Sequence, residues 1–235
     1  MWAAFLASSM QTLYMRYPNL KPHIRSITRQ HKMKTWIPFL LFLLSSFHGE
    51  AAVRTVLDVH GNGVQSGVKY YVVPVNKTQG GGLDLLPPST TCYRNVVAVP
   101  TKLLANAASF FPAVAPKNGV VVNGTDLNVE IFPSGANAGN CSNVWTISGS
   151  DPENIDMDQY VLSGGVKGNP GSTTAVNWFM IVKSVNGYKF MFCPVSLCDC
   201  SPVCQDVGIF VDKAGNRLLK VQSSLPHLEV NFIKA

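Results

Sequence analysis

The sequence predicts an all-β domain, a sandwich or barrel built from many short strands. Apolar runs of four to six residues, rich in Val, Ile, Phe and Tyr, recur from residue 70 to residue 233. Gly, Asn, Asp, Ser and Pro punctuate them at intervals of about 8 to 12 residues, as in sandwiches and barrels. No segment carries a convincing helical period; the nearest, TKLLANAASFF at 101–111, is short and runs into Pro112.

The elements follow in chain order. VLDVHGNGVQSGVKYYVVP (56–74) is strand-like at both ends and broken in the middle by Gly61, Asn62, Gly63 and Gly67, which make a turn. The expected strands are YYVVPV (70–75), NVVAV (95–99), GVVV (119–122), LNVEIF (127–132), VWTI (144–147), NWFMIV (177–182), YKFMF (188–192), VGIFV (207–211), RLLKV (217–221) and LEVNFI (228–233). VNG (185–187) and AGN (214–216) are hairpin turns, because Asn and Gly tolerate positive φ. GGG at 80–82 lacks the Gly-Lys-Ser/Thr and the strand-to-helix setting of a phosphate loop, so it reads as a flexible or tight loop. LNVEIF, YKFMF and LEVNFI echo one another, although spacing alone does not establish a repeat.

Of the 235 residues, 46% are hydrophobic and only 14% charged, which excludes a disordered chain and a charge-driven nucleic-acid binder. The formal net charge of +6 is concentrated upstream. Residues 1–51 hold six basic side chains and one acid, which leaves 13 Lys+Arg and 12 Asp+Glu from Ala52 onward. Met33-Lys34-Thr35 starts a secretory signal pattern: one positive charge, the apolar run WIPFLLFLLSSF (36–47), then Gly49 and Ala51 as a small-x-small cleavage site. The run is shorter than the roughly 20 residues that span a bilayer. The expected organisation is therefore an upstream extension or leader at 1–32, a signal peptide at 33–51 and a folded domain at 52–235.

Secretion makes the six cysteines candidates for disulfides: Cys92, Cys141, Cys193, Cys198, Cys200 and Cys204. Six cysteines allow 15 connectivities. Their spacing has no second CxxC half, so zinc is not expected. The sequons at Asn76, Asn123 and Asn140 agree with a secreted glycoprotein, Asn140 being the poorest acceptor because a cysteine follows it.

Catalysis finds little support. His60 and His227 are the histidines after residue 52, and neither lies beside a nucleophile elbow or a metal spacing. The acidic run DPENIDMD, with Asp151, Glu153, Asp156 and Asp158, reads as a solvated loop rather than a glycosidase pair. No enzyme, cofactor or metal is expected.

VLDVHGNGVQSGVKYYVVP resembles the N-terminal signature of the soybean-type Kunitz inhibitors, including the plant miraculin-like proteins. Asp58, Gly61, Val64, Gly67, Tyr71 and Val73 match it. GGGLDL, Cys92, TDLNVEIF, NWFMIV, YKFMFCP, CQDVGIFVD and RLL extend the resemblance over residues 53–235. It implies a β-trefoil of twelve strands with pseudo-threefold symmetry, Gly61 and Asn62 turning between the first two strands and Tyr70-Tyr71 opening the second. It also implies the bridges Cys92–Cys141 and Cys193–Cys204, worth ~4 and ~3 kcal/mol by chain entropy. Cys198 and Cys200 resemble the inner pair of the miraculin-like branch, at closer spacing.

The resemblance implies inhibition of serine proteases by a substrate-like loop, here FFPAVAPKNG (110–119), with Ala115, Pro116, Lys117 and Asn118 at the contact. Lys117 suits a trypsin-like pocket, whose floor is an aspartate. Lys117-Asn118-Gly119 is equally a good turn sequence. Ser66 takes the loop-supporting position where the family often carries Asn; a hydroxyl offers one donor against the amide's two, which implies weaker bracing. The expected protein is a monomeric plant inhibitor of a trypsin-like or subtilisin-like protease. It is secreted to the apoplast or the vacuole and has no nucleic-acid or membrane partner once the signal is removed. The alternative is a non-inhibitory miraculin-like storage, stress or glycan-binding protein.

Overall fold

Alternation of inward apolar and outward polar residues turns most of the apolar runs into strands. The computed structural model describes residues 55–87, 92–100, 106–133, 141–149, 159–198, 204–222 and 224–235. The upstream extension, the signal peptide, Asn140, Cys200 and the acidic run at 151–158 lie outside the described residues. The strands are β1 (Tyr70–Pro74), β2 (Gly82–Leu85), β3 (Val96–Val99), β4 (Ala107–Pro112), β5 (Asp126–Phe132) and β6 (Thr146–Ile147). They continue with β7 (Gln159–Leu162), β8 (Phe179–Lys183), β9 (Tyr188–Phe192), β10 (Gln205–Val211), β11 (Arg217–Val221) and β12 (Glu229–Lys234).

The pairing closes a ring. β12 pairs β1, β1 pairs β4, β4 pairs β5, β5 pairs β8, β8 pairs β9, and β9 returns to β12, all antiparallel. The remaining strands pair as hairpins, β2 with β3, β6 with β7 and β10 with β11, and β11 also pairs β3 and β7. The chain thus runs through three consecutive sets of four strands. In each set the first and last strands enter the ring and the middle two form a hairpin outside it.

β1 and β9 bury every second residue: Tyr70, Val72 and Pro74 in β1, Tyr188, Phe190 and Phe192 in β9. Aromatic side chains of the ring strands meet at the centre, joined by Trp145 from the segment before β6. Phe110 lies edge-on to Phe232 with centroids 5.2 Å apart, and Trp145 packs on Phe190 at 5.0 Å. Such contacts contribute about 0.5–1.5 kcal/mol each beyond area burial. This core holds β4 and β5 in register from Ala107–Phe132 to Pro112–Leu127, which fixes where the following loop leaves the barrel.

Several elements differ from expectation. The 101–111 stretch, the nearest approach to a helix in sequence, ends in β4; Ala107, Ala108, Ser109 and Phe110 are all buried, so a short continuous apolar run serves as a doubly covered strand. GGG at 80–82, expected as a flexible or tight loop, is the tight one and its last glycine opens β2. Gly80 has φ +115, and a Cβ there would sit 2.3 Å from Val99 O, so the glycine permits a close backbone approach. GVVV makes only isolated bridges, Gln65 with Val120 and Thr55 with Val122. The segment before Tyr70 is likewise held by bridges, so Tyr70-Tyr71 opens the first regular strand and not the second. There the Asp58 carboxylate replaces the ladder: Oδ1 accepts from the N–H groups of His60 and Asn62, both at 2.9 Å. Asp212 makes the same cage, accepting from Ala214 N at 2.9 Å and Asn216 N at 2.8 Å. Both turns spell Asp-x-x-Gly-Asn.

Candidate functional site

The connection after β4, residues 113–119, projects from the barrel on two fixed stems. On the first, Phe110 O accepts from Gly67 N at 2.9 Å and from Ser66 Oγ at 3.2 Å. On the second, Ser66 N donates to Gly119 O at 2.7 Å, and Val121 N donates to Val64 O at 2.7 Å. Ser66 therefore ties one stem with its side chain and the other with its backbone. A further tie, Ala113 N to Asp126 O at 2.8 Å, holds the start of the loop to β5.

Ala115, Lys117 and Asn118 are exposed, as is Val114 at 83%, and Pro116 is half-buried. The tip is a tight turn in which Gly119 N donates to Pro116 O at 3.0 Å, placing Lys117 and Asn118 at its two central positions. Gly119 has φ +68, the left-handed region. The run of Lys, Asn and Gly has thus taken up its turn propensity, and Lys117 stands at an apex rather than along an extended segment.

Behind the loop lies a cavity of about 800 Å³ lined by residues 112–117, by Val122 and residues 124–126, and by Val195, Ser196 and Leu197. Asp126, buried at the start of β5, accepts a hydrogen bond from Ser196 Oγ, and its Oδ1 has no partner. Burial pushes the Asp126 carboxyl above its ordinary range, and the Ser196 hydroxyl pulls in the opposite direction. Sequence reasoning missed this group, because nothing in the chain signals a contact across 70 residues.

Residues 195–197 form the cavity's far wall, in a segment anchored by the Cys193–Cys204 disulfide across a Cα–Cα distance of 4.4 Å. Cys92–Cys141 closes the second bridge at 5.2 Å. Cys198 is also disulfide-bonded, and its partner lies outside the described residues. Of the sequon asparagines, Asn76 is exposed and its Oδ1 accepts from Thr78 Oγ1 at 2.7 Å. Asn123 is half-buried, with Oδ1 engaged by Lys183 N at 2.6 Å.

The fold also gathers a serine, a histidine and an aspartate that the sequence leaves far apart. Ser184 Oγ is 3.1 Å from His227 Nε2, and His227 Nδ1 is 3.9 Å from Asp206 Oδ2. This is not a nucleophilic triad. Asp206 holds Lys189 Nζ at 2.7 Å, and the Ser184 hydroxyl is engaged by Glu229. The N–H of Asn186, followed by the Ser184 and Asn186 side chains, outweighs burial and holds the Glu229 carboxyl below its ordinary range. His60 is exposed in the Asp58 turn. Among the described residues, no group of three or more His, Cys, Asp or Glu side chains is placed to hold a metal ion.

The antiparallel ring thus presents residues 113–119 as an exposed loop on braced stems. The chain matches the legume Kunitz family, described as trypsin and protease inhibitor, over residues 56–234, and it belongs to that family. It is 32% identical over 204 residues to Kunitz trypsin inhibitor 5 of Arabidopsis thaliana, covering 85% of this chain and 97% of that protein. It is 33% identical over 193 residues to miraculin of Synsepalum dulcificum, covering 77% and 84%. Among solved structures it is similar to the rice (Oryza sativa) bifunctional alpha-amylase/subtilisin inhibitor, at 25% identity and a TM-score of 0.59 over 78% of this chain and all of that one. It shares its fold with the trypsin inhibitor from soybean, at 24% identity and a TM-score of 0.59 over 77% and 99%.

Proposed function

We propose that the chain is a secreted plant inhibitor of serine endopeptidases that presents residues 113–119 to the enzyme, with Lys117 entering the pocket of a trypsin-like target. The observation that carries this reading is the loop's construction. Ser66 ties both stems, so the exposed tip is held before any partner arrives. A loop ordered beforehand loses less conformational freedom on docking, which is the main route to tight inhibition. Ala115, Pro116 and Asn118 flank Lys117 and complete the contact. Similarity to the rice alpha-amylase/subtilisin inhibitor supports a subtilisin-like enzyme as the other target class.

The fold reading that accompanies this is a β-trefoil with pseudo-threefold symmetry. The three four-strand sets support it. The signal sequence supports secretion to the apoplast or vacuole, and the exposure of Asn76 supports a glycan there, with Asn123 a second acceptor. The protein acts as a monomer.

One observation favours a second reading, a non-inhibitory miraculin-like role. The Pro116–Gly119 turn bends the chain at the residue that an extended, substrate-like segment would present. Inhibition assays decide between the two. The oxidised chain, produced through the secretory pathway, is assayed against trypsin, chymotrypsin and subtilisin, with Lys117→Ala alongside. Tight trypsin inhibition that weakens by about a hundredfold or more in the variant, as for a central anchor, is the expected result. Absence of inhibition toward all three enzymes selects the second reading.

A further inference from the structure

We infer that the cavity behind the exposed loop is a binding site for a small molecule with an apolar body and a single primary ammonium group, the ammonium being held by Asp126. The cavity, about 800 Å³, has the size of a small-molecule site. Its walls are mostly apolar, with Pro112, Ala115, Val122, Met180, Val195 and Leu197 among them. Such walls take an aryl or alkyl group and offer little to a sugar.

The polar groups on the walls are few, and they choose the ligand's head. The Thr125 hydroxyl is spent on Val122 O at 2.8 Å. Asp126 is only 5% exposed; one carboxylate oxygen receives the Ser196 hydroxyl and the other receives nothing. A buried carboxylate oxygen without a donor carries a desolvation cost, and a ligand reaches this carboxylate by displacing the Ser196 hydroxyl. Ser196 is itself exposed, and its hydroxyl lies over the carboxylate on the solvent side. An ammonium brings three donors and a full charge, and it displaces a neutral hydroxyl because charge-assisted bonds are the stronger. The upward shift that burial imposes on Asp126 is the same shortage of stabilising partners seen from the proton's side. Lys117 is the other charged residue on the wall. Its exposed ammonium can turn to solvent, and it disfavours a ligand with a second positive charge.

This site does not rest on the inhibitory reading, and its test needs no protease. The full oxidised protein is titrated at pH 7 by calorimetry with 2-phenylethylamine and with 2-phenylethanol, which has the same body without the charge. The expected result is saturable one-to-one binding of the amine, about tenfold or more tighter than the alcohol, as a charged hydrogen bond predicts. Asp126→Asn keeps the acceptor for Ser196 and should abolish that preference. Val195→Trp, at an exposed position on the rim, should weaken both ligands, and it decides the matter if Asp126→Asn does not fold. No saturable amine binding, equal affinity for the two probes, or a preference that persists in Asp126→Asn overturns the inference. So does unchanged binding in Val195→Trp.

Discussion

Replacing Ser66 by Ala separates the two ties that this residue makes. The variant loses the Oγ bond to Phe110 O, 3.2 Å long, and keeps the backbone bond from Ser66 N to Gly119 O. Phe110 O is not orphaned, because Gly67 N still donates to it at 2.9 Å. The cost is therefore one neutral hydrogen bond at its net value, about 0.5–1 kcal/mol at the long end of the distance range, without the added penalty of a stranded acceptor. If that energy acts on the loop, it appears as a two- to fivefold rise in the inhibition constant, since about 1.4 kcal/mol is tenfold. The change should fall in the dissociation rate, because bracing governs how long a docked loop stays ordered. The assay is the inhibition constant against trypsin together with denaturant unfolding of the same protein. A loss of inhibition beyond about a hundredfold would refute the reasoning, for it would make Ser66 a contact residue and not a brace. An inhibition constant that stays put while unfolding stability falls by the full amount would refute it from the other side, by confining the bond's effect to the barrel.

Gly119→Ala forces a side chain into the left-handed region at φ +68 and places its Cβ 3.3 Å from Gln65 Oε1, so a loss of about 1–2 kcal/mol is expected; denaturant unfolding reads it, and inhibition should fall more than in Ser66→Ala. Gly80→Ala meets the backbone itself, Val99 O at 2.3 Å from the new Cβ, and should lower the melting temperature more than any loop substitution. Acid titration of stability has a definite sign. In Asp212 the Asn216 side chain leads the donors that hold the carboxyl below its ordinary value of 3.8, and in Asp58 the Asn62 and His60 N–H groups outweigh burial to the same end. Both contribute stability that is fully present above pH 3.8 and lost as pH falls through their depressed values. Asp126, raised by burial, acts oppositely: its contribution is present below 3.8 and lost as pH rises through its folded value, so Asp126→Asn should raise the melting temperature at pH 7 and leave it nearly unchanged at pH 3.

Strand positions were largely legible in the sequence, because β1, β5, β8, β9, β11 and β12 each present an alternating or continuous apolar run bounded by turn residues. β4 was hidden, since AASFFP mixes helix formers with Phe and only tertiary covering decides in favour of strand. β7, with the sequence QYVL, is too short to announce itself. Two of the three echoing strands, β5 and β9, open their four-strand sets, whereas β12 closes one, so the echo reflects shared burial rather than shared position. At the site, the exposed loop and Ser66 were reachable through the family signature. The tight turn at Lys117 was present in the sequence as a competing propensity, and the fold satisfied that propensity. The Asp126 cavity had no sequence signal, because its walls come from β4, β5 and the cysteine loop, which only closure of the ring brings together.

That closure also explains why the barrel constrains inhibition so little. Phe110, before the loop, and Val121, after it, are both fully buried. The exposed tip between them adds no large side chain to the core. A substitution at 114–118 therefore leaves the aromatic centre, Phe110 against Phe232 and Trp145 against Phe190, untouched. Stability and specificity are separable here to the extent that Ser66 and Gly67 bear the load at the junction. The same barrel can then carry an inhibitory tip or a silent one, with the difference decided by the backbone over four residues, Pro116 to Gly119.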